Sequence, residues 1–229
     1  MIDIIESDPV ASIVRDALAY IDNQGTSETH IALTGGRSGS QITTKLVAAC
    51  ADNPRVHFWF SDERFLPRHD TQRNDYGIDA ANMLCHIHCI AASDELQSAQ
   101  EAAEQYSATI HQVLTSRFCA DNSLVDICLL SVGEDGHVAS LFPGYASLDE
   151  KLGVIGINDS PKPPSARVTW TYPTINASRQ VWLIATGKEK SNAVSQLQAD
   201  ADFHDIPAAG VHGKQETRLY IDVEASSPD

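Results

Sequence analysis

The chain has 229 residues, 42% hydrophobic and 21% charged, enough for one large domain or two small ones with a sizeable core. Its formal net charge of −15 argues against a protein that grips nucleic acid or an anionic membrane by bulk charge, while leaving room for an anionic small molecule in a locally positive pocket. No apolar run approaches the ~18 residues of a membrane span, no signal peptide is visible at the N-terminus, and the five cysteines lack a paired framework, which suits the reducing cytoplasm.

Residues 9–21 place Val10, Ile13, Val14, Ala17, Leu18 and Ile21 at helical spacing and predict an amphipathic helix, ended by Gln24-Gly25-Thr26-Ser27. His30-Ile31-Ala32-Leu33 reads as a short strand. It runs into Thr34-Gly35-Gly36-Arg37-Ser38-Gly39-Ser40 and then a helix with Ile42, Leu46, Val47 and Cys50 inside and Ser38 or Ser40 as N-cap. A strand, a glycine turn and a helix N-terminus together make an anion site, since backbone N–H groups can approach the ligand and the helix dipole favours negative charge. The turn matches neither the dinucleotide nor the Walker A pattern. It also reads as an ordinary βα turn; Arg37 within it favours an anion.

Val56-His57-Phe58-Trp59-Phe60 is the next strand, followed by Ser61-Asp62-Glu63-Arg64-Phe65-Leu66-Pro67. Charges directly after a buried strand lie at its carboxyl end, or in a solvated loop. Arg64 stands out as a planar donor for phosphate or carboxylate. Residues 68–77 read as a polar loop. Cys85-His86-Ile87-His88-Cys89 lacks the spacing of a structural zinc site and reads as a strand or loop, so no metal is expected. Residues 94–118 predict a helix with Ala99, Ala103, Tyr106, Ile110, Val113 and Leu114 as its buried stripe.

Residues 123–132 predict a strand apolar on both faces, as in a buried parallel sheet. It stops at Gly133 and delivers Glu134, Asp135, Gly136 and His137 to the carboxyl end, where open α/β sheets bind ligands. An imidazole there can take a proton near neutral pH. Asp135 can orient it or bind substrate. Pro161-Lys162-Pro163-Pro164 marks a loop, and residues 166–173 look strand-like, with Arg167 at the start. Residues 181–186 form another buried strand, ending in Gly187-Lys188-Glu189-Lys190 and a helix over about 191–197. Lys190 falls at the same sheet edge, or is a solvated helix lysine. Ile206-Pro207-Ala208-Ala209, a final strand over 218–223 and a frayed tail over 226–229 complete the chain. Repeats and linkers are absent, so residues 1–229 read as a single domain.

The ordered segments TGGRSGS, WFSDERFLP, LLSVGEDGHVASLFPG, RVTWTYPTINASR and ATGKEK resemble those of the glucosamine-6-phosphate isomerase/6-phosphogluconolactonase family, over residues 33–223. The DGHVASLFPG and SDERFLP segments are the specific ones. The resemblance implies a three-layer Rossmann-like α/β fold, a mostly parallel central sheet with helices on both faces, as in sugar-phosphate isomerases and deaminases. Within the family the chain is more similar to the lactonases: Arg64 stands where the deaminases carry tyrosine, and Ser140-Leu141-Phe142-Pro143 replaces their Phe-Asn-Glu-Pro. Arg37 in the glycine loop and Arg73 before Asn74 depart from the lactonase pattern. By resemblance, His137 is a general base for water attacking a lactone carbonyl, with Asp135 as its orienting partner. Gly35, Gly36, Arg37, Ser38, Asp62, Arg64, Arg167 and Lys190 would hold the phosphorylated sugar. The implied partner is a phosphorylated sugar lactone, with no cofactor. A cytoplasmic monomer or small homo-oligomer is expected. The alternatives are a deaminase-like isomerase and a non-catalytic sugar-phosphate-binding module.

Overall fold

Two sheets organise the computed structural model, which describes residues 2–114, 122–199 and 201–226. The larger contains β1 (Asp3–Glu6), β2 (Thr29–Leu33), β3 (Val56–Phe60), β5 (His86–Ile87), β6 (Ile127–Ser131), β9 (Gln180–Ala185) and β10 (Glu216–Ile221). Its spatial order is β1-β10-β9-β6-β2-β3-β5, with every pairing parallel. The smaller sheet is antiparallel: β4 (Asp62–Arg64), β8 (Arg167–Trp170) and β7 (Val154–Ile157), in that order.

Parallel strands covered on both faces need apolar side chains on both faces. β2 and β3 are buried at every position, and β6 at all but its last. The covering helices are α1 (Pro9–Asn23), α2 (Gly36–Ala49), α3 (Ala99–Leu114), α4 (Tyr172–Ile175), α5 (Ser191–Gln198) and α6 (Val223–Ser226). α1 starts where Asp8 accepts the Ala11 N–H at 3.1 Å and Pro9 supplies a pre-set first turn. It buries Ile13, Ala17 and Ile21. α3 packs against β7 and β8, and its Tyr106 reaches back to β3.

Several sequence expectations need correction. α2 begins at Gly36 with Gly35 as its N-cap; Ser38 and Ser40 lie inside it, and no side chain caps it. The segment after β3 is not a free loop, because Asp62, Glu63 and Arg64 form β4 and bury two carboxylates. α3 is shorter than expected: Ser98 Oγ accepts the Glu101 N–H at 3.2 Å and fixes its start, while residues 115–121 lie outside the described residues. Residues 166–173 divide into β8, which joins the small sheet, and the first turn of α4. β1 and β7 had no counterpart in the sequence reading. β1 is a largely exposed edge and β7 is interrupted by Gly156, so neither shows an apolar run. Of the expected tail, Ser226 ends α6 and residues 227–229 lie outside the described residues. Among the described residues, no helix is long and apolar enough to cross a membrane.

Candidate active site

β6, at the centre of the large sheet, ends at Ser131, and the chain turns sharply through Gly133 to His137. The Gly136 N–H donates to Gly133 O at 3.1 Å and the Gly133 N–H to His137 O at 2.8 Å, which closes the turn. Within it, His137 Nδ1 lies 2.5 Å from Asp135 Oδ1. A carboxylate only accepts, so Nδ1 is the donor and Nε2 is left as the acceptor. The imidazole leans on the Phe142 ring, with centroids 4.7 Å apart. Burial opposes ionisation of Asp135. The hydrogen bond and charge of His137, with the charge of Lys162, outweigh it and hold the Asp135 carboxyl well below its ordinary value.

The glycine turn lies alongside. Ser131 ties β6 to it twice: its N–H donates to Thr34 Oγ1 at 3.0 Å and its hydroxyl to Gly35 O at 2.9 Å. Gly36 has φ +81°, a conformation that suits glycine, and it opens α2 towards His137. Ser38 Oγ, in the first turn of α2, lies 2.8 Å from Thr186 Oγ1 at the end of β9. Arg37 is 83% exposed and 3.9 Å from Glu189. Lys190 is half-buried, and burial pushes its ammonium below the usual lysine value, against the pull of Glu134.

Two cavities meet at His137. The larger, about 230 Å³, is lined by Gly36, Arg37, Ser38, Thr186, Glu134, Glu189 and Lys190. The smaller, about 80 Å³, is lined by Gly35, Asp62, Arg64 and Arg167. Gly36, Ser131 and His137 line both. A third cavity, about 310 Å³, lies outside the site between α2 and residues 71–83.

The expected site residues therefore converge, but with two kinds of role. Arg64 Nε is buried and unpartnered among the described residues, while Nη1 donates to Gln72 O. Asp62 and Arg167 are bonded within the protein and also line the smaller cavity. Asp62 accepts from Ser140 Oγ at 2.8 Å and Asn74 Nδ2 at 3.2 Å. Arg167 donates to the carbonyls of Lys162, Pro163 and Pro164 and stacks over Phe142. Buried Glu63 accepts the N–H groups of Arg64, Asn74 and Asp75 beside Arg73, and so pins the 73–75 loop behind β4. Burial pushes the Glu63 carboxyl up, partly offset by Arg73 and these donors.

Sequence reasoning did not single out Lys162, Thr186, Ser131 or Asn74. Their roles depend on partners 11 to 148 residues away. Lys162, a cation between prolines in a loop at the carboxyl edge of the sheet, was the one that carried a signal. No metal is expected at Cys85 to Cys89; among the described residues the candidate ligands that cluster are Glu28, His30 and His57. There Trp59 Nε1 donates to His30 Nδ1 at 3.1 Å, which leaves the His30 proton on Nε2, the atom 3.7 Å from Glu28. That tautomer does not suit a metal ligand.

The model of the family described as glucosamine-6-phosphate isomerases/6-phosphogluconolactonase matches residues 6–220. A 6-phosphogluconolactonase of Streptomyces coelicolor is 35% identical, over 95% of this chain and 88% of its own length. The crystal structure of a 6-phosphogluconolactonase from Thermotoga maritima superposes with a TM-score of 0.76 at 26% identity, covering 97% of this chain and 99% of that one. A monomeric glucosamine-6-phosphate deaminase shares the fold at TM-score 0.73 and 20% identity, over 98% and 99% of the two chains. With its strand-end aspartate and histidine set against a glycine-opened helix, and with a match along nearly its whole length, the chain belongs to the glucosamine-6-phosphate isomerase/6-phosphogluconolactonase family.

Proposed function

We propose that this protein hydrolyses 6-phospho-D-glucono-1,5-lactone to 6-phospho-D-gluconate, in the oxidative pentose phosphate pathway, with His137 as general base. The observation that carries the reading is the Asp135–His137 pair, 2.5 Å apart, facing the cavity at the start of α2. The lactonase relatives supply the substrate class.

The phosphate rests against the first turn of α2, where backbone N–H groups have no helical acceptor. Arg64 approaches from one cavity and Lys190 from the other. Asp62 and Arg167 brace the cleft. A water oxygen attacks the lactone carbonyl carbon while His137 Nε2 takes one of its protons. The tetrahedral oxyanion collapses, the bond from that carbon to the ring oxygen breaks, and His137 returns the proton to the ring oxygen. The acid formed ionises in neutral water. Ser140 is no competing nucleophile, because it is fully buried and its hydroxyl donates to Asp62. The deaminase reading lacks support here: its glutamate position is occupied by Phe142. The free thiols of Cys50, Cys85, Cys89 and Cys128 fit a cytoplasmic setting.

The test generates the lactone in situ with glucose-6-phosphate dehydrogenase and follows its decay at a pH low enough to slow spontaneous hydrolysis. The protein should accelerate decay, and His137→Ala should lower kcat by about 10²–10⁴-fold with product binding retained. Ammonia release from glucosamine 6-phosphate, without lactone hydrolysis, would overturn the reading.

A further inference from the structure

Lys162 lies in the proline-rich loop before β8. Its Nζ is 3.4 Å from Asp135 Oδ1 and 3.4 Å from His137 Nδ1. An ammonium only donates, and His137 Nδ1 already spends its proton on Asp135, so of the two Asp135 is the atom Lys162 can bond. Asp135 thus receives two donors. The ammonium sits against the imidazole as an unbonded charge.

The main chain under this lysine is held independently of its side chain. Lys162 O accepts from Ser160 Oγ at 2.9 Å and from Arg167 Nη2 at 3.0 Å, while its N–H donates to Ser160 Oγ at 3.3 Å. Prolines flank it on both sides. The side chain itself is 42% exposed, so replacing it removes a charge without opening the core. This is a rigid mount for one ammonium beside one base.

Charge explains what the mount is for. When His137 accepts a proton from water, a second positive charge appears beside Nζ. Asp135 favours that imidazolium and would, acting alone, hold the proton too firmly for return to the ring oxygen. Lys162 opposes it at the same distance at which it bonds Asp135. The other charges facing this end of the cleft are Arg37, Glu134, Glu189 and Lys190 on one side, and Asp62, Arg64 and Arg167 on the other. Lys162 stands 3.4 Å from His137 Nδ1.

We propose that Lys162 is a positioning residue for the hydrolysis, its ammonium fixing Asp135 and counterbalancing the charge that His137 gains when it takes the proton from water. This rests on the reading of His137 as the base.

The experiment is the pH dependence of kcat/KM between about pH 5 and 8, the range in which a histidine base titrates, for the wild type, Lys162→Met and Lys162→Arg. Removing the cation stabilises the imidazolium, so the acid limb of Lys162→Met should move up by about one pH unit. Lys162→Arg keeps the charge and should keep the limb within a few tenths of a unit of the wild type. An unmoved limb in Lys162→Met overturns the proposal. So does a raised KM at every pH without a limb shift, which would make Lys162 a substrate ligand. An equal shift in both variants also overturns it, since the charge would then not be the cause. His137→Ala separates the two claims: if it stays active the base reading fails, whereas an inactive His137→Ala with an unmoved Lys162→Met limb removes only Lys162.

Discussion

Gly133 carries no side chain where His137 and Asp135 close on each other. A Cβ built on it would lie 1.9 Å from His137 Nδ1 and 2.6 Å from Asp135 Oδ1. Neither neighbour can retreat cheaply, because His137 is backed by Phe142 and both side chains belong to one hydrogen-bonded turn. Gly133→Ala should therefore fold but push the imidazole off its aspartate. We expect kcat to fall at least tenfold, since an ångström of misplacement can cost about 10²-fold. The urea midpoint should shift by no more than about 1–3 kcal/mol, the usual cost of overpacking. Steady-state kinetics beside urea unfolding checks both; undiminished kcat would show that the His137–Asp135 contact is dispensable. The sequence could announce Asp135 and His137, because both follow an apolar strand within a few positions. It could not announce the partners that Asp62 and Arg167 hold within the protein. A buried carboxylate and a solvated one read alike until Ser140, Asn74 and the 162–164 carbonyls are placed around them.

At the scale of elements, the cleft depends on how β3 hands over to β4. Phe60 ends β3, and its N–H and C=O turn to the Tyr106 hydroxyl on α3, at 2.8 and 3.2 Å. Tyr106 is buried, and burial pushes its phenol well above the ordinary value, so it stays a neutral donor and acceptor. Tyr106→Phe keeps the ring and deletes both bonds. The orphaned buried N–H should cost about 1–3 kcal/mol, read as a lower urea midpoint with an unchanged m-value. A loss below about 0.5 kcal/mol would mean water replaces the hydroxyl. The apolar stripe of α3 was legible because it repeats with the helical period. The hydroxyl's role was not, since Tyr106 simply falls on that stripe and its partner lies 46 residues away. The small sheet was equally hidden. β4 looks like a charged loop, and β7 has a glycine where Ala99 of α3 approaches its backbone.

Across the whole molecule, the edge far from β1 carries an unusual load of imidazole. His30, His57 and His86 occupy matching positions on the adjacent parallel strands β2, β3 and β5, so their rings stack at 4.2 Å intervals. His88 stacks on Trp59 at 3.8 Å and its Nε2 lies 3.0 Å from His57 Nδ1. Burial, and then the neighbouring charge of His86, push His88 down to about 4. The unfolded chain takes up this proton as pH falls below about 6.5, whereas the folded chain resists until about pH 4. Protons are then bound more by the unfolded state, so stability falls as pH drops through this window and is fully present above it. At 1.36 kcal/mol per unit the loss is at most about 3 kcal/mol, less with partial solvent screening. Asp135 runs the same way but at lower pH, because its depressed carboxyl stays ionised until well below the ordinary aspartate value. Within that window His88 loses stability on acidification, and Glu63, whose raised carboxyl holds its proton more readily folded than unfolded, opposes it. In urea unfolding at pH 7, 6, 5 and 4, the wild-type midpoint should lose more on acidification than that of His88→Phe, whose ring still stacks on Trp59. Equal slopes would place the acid sensitivity elsewhere. This edge and the catalytic turn occupy different strands of one sheet. The acid limb of stability and the acid limb of kcat/KM should then separate in His88→Phe, the first moving and the second staying.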